Sequence, residues 1–504
     1  MKVRLAALLL WSVFLFGYGV AGGLFETDAP RAKLFGRPPG NPADCNSNLY
    51  RTEGLRAMIA KETLAGHWLV PTLYDKPFVT KPPGMYVAIA LCSAPFGHVT
   101  DWAARLPSFI FLTLTLVFLH LHLRPLIGEG QAFWIAMFLP VSFLWLEKCP
   151  SAEIDPLQLG WVAWSLLAFH RAYLAEVETR TRAALGWWFL SLTCVAGGLL
   201  TKWTAPAFFY LTVIAFVGIQ GRWKMLFGWR HMSAAIFFAA LVLLWAVLAA
   251  NAVGWSKLNE QIGGEAAQRF APGQTKKYPW GETVLFPVVV LAANTFSTAA
   301  VLLSLRKSFR DRLTPMERSV WLLGHCWIWP NLLFWTLPAQ HNVRYVFPMI
   351  PGVCLLAGLW WVKWFETRPD VPWRRGLFIT PIVVWFFVKI VYTEVIHPEE
   401  LSKRDARGVG RRLAELVPPG EVLSISKLKD EGIMFYYDRP IEQIGWPADA
   451  PPPKFRWAFL MAKESPSQEP SEWQLVEGAP GVRLVEKLRE QGGAPAFLVV
   501  DESP

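Results

Sequence analysis

A chain of 504 residues that is 53% hydrophobic, holds 27 tryptophans and strings together long apolar runs belongs in a lipid bilayer, because a soluble protein of this length could not hide them. The formal charge of +10 does not indicate a nucleic-acid partner: Lys and Arg sit in short loops between apolar runs, where they report topology and contact with anionic headgroups. The six cysteines lack metal-ligand spacing. Cys92, Cys194, Cys326 and Cys354 read as small buried side chains in apolar stretches, whereas Cys45 and Cys149 fall in loops on one side of the membrane, where they could pair.

Leu5–Gly22 follows a charged start, Met1-Lys2-Val3-Arg4, but is long for a signal core and has no clear cleavage site. It is expected to be a retained first helix with a cytoplasmic N-terminus. The next stretch, from Leu49 to Tyr86, is polar and punctuated by Pro and Gly. Thr52 is a good N-cap, Leu55, Met58 and Ile59 recur on one face, and Gly66 suits the C′ position. This predicts a short amphipathic helix at the membrane surface, with Glu53 in its first turn and Arg56 one turn on. Glu53 would also serve simply to complement the helix dipole. Lys81, held in Thr80-Lys81-Pro82-Pro83-Gly84, has the alternative of snorkelling at the interface.

Met85–Phe96 is short and broken by Pro95 and Gly97, so it is predicted to lie along the interface rather than to span. Ten further runs are read as spans near the length a bilayer requires: Leu106–Leu121, Phe133–Trp145, Leu157–Phe169, Trp187–Leu199, Trp203–Val217, Ala234–Ala250, Thr283–Leu305, Val320–Leu337, Val343–Trp361 and Ile379–Val391. With the first helix this makes about eleven spans. The alternation gives every cytoplasmic loop a Lys or Arg and puts the three richest clusters inside, among them Arg306, Lys307, Arg310, Arg312 and Arg318. From His397 onward the composition is that of a soluble protein. A helix from Asp405 to Leu416 and strand-like runs at Val422–Ile425, Ile433–Tyr437, Trp457–Leu460 and Ala496–Val500 predict a small α/β domain. Residues 1–395 are thus the membrane domain and 396–504 an extracytoplasmic α/β domain.

This topology gathers Glu53, Arg56, Lys81, Asp155, Lys202, Glu265, Arg269, Lys276, Lys277, His341, Arg344 and Tyr345 on the outer face. Charges at the membrane surface of one side are a functional-site hypothesis. Carboxylates there could take a hydroxyl proton, and Lys, Arg and Tyr could hold a phosphate leaving group. Asp155 before Pro156 would equally be an N-cap, and Lys202 equally a snorkelling lysine. Arg344 opens a helix from outside, against the dipole, which calls for an anionic partner. No Walker or Rossmann glycine pattern is present, so a cytoplasmic nucleotide donor is not expected.

The order of an acid in the first outer loop, Gly66-His67-Trp68-Leu69-Val70-Pro71, Lys81-Pro82, Ala104-Arg105-Leu106-Pro107-Ser108, Glu153-Ile154-Asp155, Leu200-Thr201-Lys202 and Arg344-Tyr345-Val346-Phe347-Pro348 resembles the polyprenyl-phosphate-sugar-dependent membrane glycosyltransferases. These share the GT-C superfold and include the lipid A aminoarabinose transferases and protein O-mannosyltransferases. The resemblance covers about residues 1 to 395. It implies an α-helical polytopic GT-C protein in which an acceptor hydroxyl on a lipid, glycan or protein displaces the phosphate of a polyprenyl-phosphate sugar, with inversion, outside the bacterial inner membrane.

By the same resemblance Glu53 would be the base and Asp155 the second acid. Lys81, Arg344 and Tyr345 would hold the donor phosphate, and Arg56, Lys202, Arg269 and His341 are further substrate-binding candidates. No resident cofactor is implied, although the resemblance leaves room for a divalent metal. Three departures stand out. Where many relatives carry an Asp-Glu pair, this chain has Thr52-Glu53, which leaves Glu53 alone. The basic residue that follows is Arg56 where the family pattern would put it at Leu55. Thr80 replaces a Glu before the lysine, so a metal site built on that Glu is not implied. A transporter or flippase for lipid-linked saccharides is the alternative. It would need charges deep in the bilayer and related halves, neither of which the sequence shows.

Overall fold

The structure, a computed structural model, describes residues 2–20, 48–49, 52–139, 142–148, 150–270, 280–397, 405–425, 431–444, 455–461, 481–489 and 496–502. Cys45 and Cys149, whose pairing the loops suggested, lie outside the described residues; the other four cysteines are free. Lys276 and Lys277 also lie outside them.

The membrane part is helical. Its first helix, α1 (Lys2–Ser12), runs into a π turn at Val13–Gly17. After the first loop come α2 (Thr52–Leu64), the hairpin strands β1 (Thr72–Leu73) and β2 (Lys76–Pro77), and α3 (Gly84–Ser93). Next are α4 (Asp101–Ile127), α5 (Glu129–Phe138), α6 (Phe143–Lys148), α7 (Ile154–Val177), α8 (Thr181–Leu199) and α9 (Ala205–Ile219). Then follow α10 (Lys224–Phe227), α11 (Trp229–Val253), α12 (Trp255–Phe270), α13 (Trp280–Ala292), α14 (Thr295–Ser304), α15 (Lys307–Arg310) and α16 (Pro315–Thr336). A 3-10 stretch, Val343–Met349, leads into α17 (Ile350–Glu366), and α18 (Pro372–Val391) closes the bundle.

Among the described residues four helices are long and apolar enough to cross a membrane: Asp101–Ile127, Trp229–Val253, Val343–Glu366 and Pro372–Ile396. The bent pair Trp280–Ala292 and Ser297–Ser304 makes a fifth if it is one span. Helices α7, α8 and α16 coincide with three more of the expected runs but fall below that hydropathy. The reason is position: α7 is buried on nearly every side and carries Gln158, Ser165 and His170 among protein neighbours, where no lipid demands an apolar surface. Two expected runs are each divided between two helices, Phe133–Trp145 between α5 and α6 and Thr283–Leu305 between α13 and α14. The polar segment after α11 contains a helix, α12, that its lack of apolar runs concealed. Helix α3 with its 3-10 extension covers Gly84–Phe96, too few residues at about 1.5 Å each to span a core of about 30 Å.

One continuous apolar core runs through the bundle and includes Leu112, Leu116, Ile135, Leu166, Phe169, Trp188, Phe216, Trp327 and Phe347. Large apolar side chains on α11, α13 and α18, such as Ile236, Val284 and Phe387, face outward, as lipid-contacting surfaces do.

The C-terminal part contributes α19 (Ala406–Leu416), β3 (Leu423–Ile425), α20 (Glu431–Tyr437), β4 (Ile441–Gln443), β5 (Trp457–Met461), β6 (Val482–Arg489) and β7 (Ala496–Asp501). The five strands β3–β7 form one sheet in the order β4-β3-β5-β7-β6, with β3 parallel to both β4 and β5 and the β5/β7 and β7/β6 pairs antiparallel. Helix α19 buries Ala406, Val409, Gly410 and Leu413, the i, i+3, i+4, i+7 stripe of an amphipathic helix. The run Ile433–Tyr437, expected as a strand, is helical: Ile433, Met434 and Tyr437 are buried at i, i+1 and i+4, a spacing that fits one helix face and not an alternating strand.

This unit is fastened to the first loop of the membrane part. Met58 of α2 belongs to the same apolar cluster as Val409, Leu413, Leu423, Ile433 and Phe459. The Tyr436 hydroxyl donates to Asp101 at 2.9 Å and accepts from the Leu49 N–H at 3.0 Å, Arg407 pairs with Asp101, and Lys61 pairs with Asp438. Two glycines make the approach: a Cβ on Gly54 would stand 2.2 Å from the N and Cα of Gly432. Gly54→Ala is therefore expected to prise α20 from α2, seen as faster proteolysis of the C-terminal part in the intact protein. Unchanged cleavage would contradict the docking.

Candidate functional site

Five separate pieces of chain build the site, beginning with α2. Thr52, Leu55 and Arg56 stand at i, i+3 and i+4, hence on one face, and that face lines a cavity of about 310 Å³. Glu62, near the other end of α2, holds the β1–β2 hairpin. It accepts from the Thr72 hydroxyl at 2.5 Å and from the Tyr74 N–H at 2.7 Å. Tyr74 and Asp75 both have positive φ, the backbone of a type I′ hairpin turn. The hairpin delivers Phe78, Thr80 and Lys81 to the cavity wall.

The Lys81 loop is seated on the end of α8. The Gly84 N–H donates to the Leu200 carbonyl at 2.7 Å, and a Cβ at Gly84 would meet Thr201 Oγ1 at 2.5 Å and the Leu200 oxygen at 2.8 Å. Lys202, two residues beyond Leu200, pairs with Asp155 in the first turn of α7 at 2.6 Å, both side chains buried. Gln158 ties the same turn of α7 to Thr204 at 2.6 Å. Opposite, the 3-10 stretch brings Arg344 and Tyr345, its start capped by Asn342, whose side chain accepts from the Arg344 N–H at 3.1 Å. The Tyr345 ring lies 5.6 Å from the Arg344 guanidinium and 5.7 Å from Lys202 Nζ, a cation–π arrangement that keeps both cations near one another.

Six of the nine candidates thus share one cavity: Arg56, Lys81, Asp155, Lys202, Arg344 and Tyr345. Of the other three, Glu53 and His341 do not line it. Arg269 is on α12, but its side chain lies outside the described part of the structure. His341 donates from Nε2 to the Thr336 carbonyl at 3.0 Å and packs its ring at a tilt beside Phe286; its neighbour Gln340 takes the place on the cavity wall.

Glu53 requires the larger correction. One position round the helix from Thr52, it turns into the protein, where its carboxylate accepts from Arg105 Nε at 3.0 Å, from Arg105 Nη2 at 2.9 Å and from the Ala152 N–H at 2.7 Å. The same guanidinium donates to the Asn48 carbonyl at 2.7 Å, and Ser108 of α4 donates to the Ser151 carbonyl at 2.5 Å. Glu53 and Arg105 therefore pin α2, the first loop and the 150 loop to α4. In this placement Glu53 does not reach the cavity, and the role of base expected for it is not supported by the geometry.

The carboxylate that does reach the cavity beside α2 is Glu153, which sequence reasoning quoted within Glu153-Ile154-Asp155 without giving it a role. Its separation of two residues from Asp155, across the start of a helix, was the available signal. Among the described residues the cavity thus carries four cations, Arg56, Lys81, Lys202 and Arg344, against two carboxylates, Glu153 and Asp155. Such a surplus inside a pocket with aromatic and apolar walls suits an anion with several oxygens, since Arg and Lys donate charge-assisted hydrogen bonds to phosphate. Among the described residues no three His, Cys, Asp or Glu side chains gather as a metal site. The two cavity carboxylates also face cations, so the donor set does not fit a divalent ion.

Residues 80–248 match the family model described as dolichyl-phosphate-mannose-protein mannosyltransferase, which covers Lys81, Asp155 and Lys202. The chain is 27% identical over 340 residues to an undecaprenyl phosphate-alpha-4-amino-4-deoxy-L-arabinose arabinosyl transferase of Pseudomonas fluorescens, covering 66% of this chain and 57% of that protein. It is 27% identical over 456 residues to one of Pectobacterium carotovorum, covering 89% and 72%. The chain spans little more than half the length of several of these curated relatives. The fold matches the crystal structure of ArnT from Cupriavidus metallidurans bound to undecaprenyl phosphate with a TM-score of 0.69 at 15% identity, over 90% of this chain and 95% of that one. The archaeal oligosaccharyltransferase AglB from Archaeoglobus fulgidus, in complex with an inhibitory peptide and a dolichol-phosphate, matches with a TM-score of 0.51 at 11% identity, over 87% and 64%. The architecture is therefore the GT-C type, in an integral membrane protein related in sequence to the aminoarabinose transferases.

Proposed function

We propose that this protein is a membrane glycosyltransferase that moves a sugar from a polyprenyl-phosphate carrier to a hydroxyl of a lipid, glycan or protein, with inversion, on the extracytoplasmic face of a bacterial inner membrane. In this reading the N-terminus is cytoplasmic, and the cavity and C-terminal α/β domain, residues 396–504, are extracytoplasmic. The observation that carries it is the excess of cations in the cavity. As the acceptor oxygen bonds to the anomeric carbon, the bond from that carbon to the phosphate oxygen breaks, and the electron pair leaves on the phosphate. Charge therefore grows on the phosphate in the transition state, and Lys81 and Arg344, with Tyr345 holding Arg344 in place, are suited to stabilise it there. Lys202, neutralised by Asp155, anchors the floor of the clamp. The similarity to proteins named for undecaprenyl phosphate supports the choice of donor class.

The direct test compares binding of undecaprenyl phosphate and undecaprenol to the full-length protein in lipid nanodiscs. Tight binding of the phosphate, weakened by added salt, with at least about 10-fold weaker binding of the alcohol (~1.4 kcal/mol), is expected. Equal affinity for the two would refute a phosphate clamp. In the same assay Gly84→Ala should weaken phosphate binding about 10-fold without lowering the melting temperature of the bundle, because the added methyl moves the Lys81 loop off Leu200 and Thr201.

A further inference from the structure

Glu153 is deeply buried yet lines the cavity, and its two oxygens are used differently. Oε1 accepts the Thr52 hydroxyl at 2.5 Å. Oε2 lies 2.9 Å from Arg56 Nη2 but is not aligned for a hydrogen bond and accepts none among the described residues. Arg56 shows the complementary defect: Nη1 donates to the Thr52 carbonyl at 2.5 Å, while Nε–H is buried and has no acceptor. A buried carboxylate oxygen and a buried guanidinium N–H left without hydrogen bonds at the same wall are costly. A hydroxyl satisfies both at once, donating to the oxygen and accepting from the N–H.

We infer that Glu153 Oε2 and Arg56 Nε form the acceptor-hydroxyl subsite, and that Glu153, not Glu53, is the general base of the transfer. The inference rests on the reading of the cavity as a polyprenyl-phosphate glycosyltransferase site. The proton of the acceptor O–H passes to Oε2 as its oxygen bonds to the anomeric carbon, and the pair from the broken C–O bond goes to the phosphate. Arg56, held against Glu153, fixes the hydroxyl by its Nε–H. Thr52 locks the remaining oxygen, so the carboxylate cannot rotate away. The base is thereby supplied from the start of α7 in a chain whose first outer loop offers Thr52 to the cavity and sends the adjacent Glu53 into the interior.

Membranes from a strain lacking the gene contain the natural donor and the unmodified acceptor, and serve as substrate for added purified protein, the modification being followed by mass spectrometry. Glu153→Gln should slow modification about 10²–10⁴-fold while undecaprenyl phosphate binding stays within a few-fold, because the amide oxygen still accepts from Thr52. Modification within about 5-fold of wild type by a folded Glu153→Gln protein would overturn the inference. Should this variant fail to fold, Glu153→Gln with Thr52→Asp, which returns a carboxylate to the same wall, decides: recovery of modification supports the role of base, and a folded, inactive double variant overturns it. If wild-type protein modifies nothing and binds no undecaprenyl phosphate, the broader reading has failed instead.

Discussion

Replacing Arg105 by Met should lower the stability of the folded protein by about 3–5 kcal/mol, measured as a fall in thermal unfolding temperature in nanodiscs. The guanidinium is 1% exposed and makes a bidentate pair with Glu53. Removing it leaves a buried carboxylate with only the Ala152 N–H among these partners, and strips the Asn48 carbonyl of its donor. Glu53→Met alone should cost a comparable amount, since it leaves the cation uncompensated. The double replacement should cost less than the two singles summed, because no unpaired charge remains. Additive losses would mean that the two residues do not act as a pair. The outcome also separates the roles of the two acids: a Glu53 variant should be inactive to the extent that it is unfolded, whereas a Glu153 variant should be folded and inactive.

Lys81→Ala and Arg344→Ala should each weaken undecaprenyl phosphate binding by roughly 10–100-fold, the effect of about 1.5–3 kcal/mol for a hydrogen bond to a charged group. The loss in transfer rate should exceed the loss in binding, because the phosphate gains charge only as its bond to the sugar breaks. Both residues lie on short irregular segments at the cavity wall rather than in the apolar core, so the variants should unfold close to the wild-type temperature. Equal losses in binding and rate would make the cations mere anchors of the donor.

Much of this arrangement was legible in the residues. The helix from Thr52 and the α/β character of the last hundred residues follow from capping signals, Pro/Gly punctuation and the pattern of apolar runs, whereas the joining of Lys81, Arg344 and Tyr345 in one site was expected only from the family resemblance. What escaped has physical reasons. Glu53 and Thr52 are adjacent in sequence but about 100° apart round a helix, so placing a carboxylate in the right turn did not say whether it faces the cavity or Arg105. Glu153 and Arg56 are joined only through tertiary contact, and their partner is invisible to local pattern. His341 was a substrate-binding candidate on the outer face, yet its ring donates to the Thr336 carbonyl five residues back. Helices α7, α8 and α16 blur the count of spans because protein, rather than lipid, surrounds much of their surface.

The C-terminal unit has a consequence for the site. Helix α2 presents Thr52 and Arg56 to the cavity on one side, while Gly54 and Met58 on another are packed against α20 and its core. The α/β unit thus steadies the helix on which the acceptor subsite stands, and a Gly54 variant that loosens it should slow transfer as well as expose the C-terminal part.

The most direct measurement is mass spectrometry of the lipid and glycoprotein fractions from cells in which the gene is deleted and then restored as wild type, Lys81→Ala or Glu153→Gln. The account predicts that deletion removes one sugar-sized modification, that wild type restores it, and that neither variant does at equal protein level. Loss of no modification, or full restoration by both variants, would contradict it.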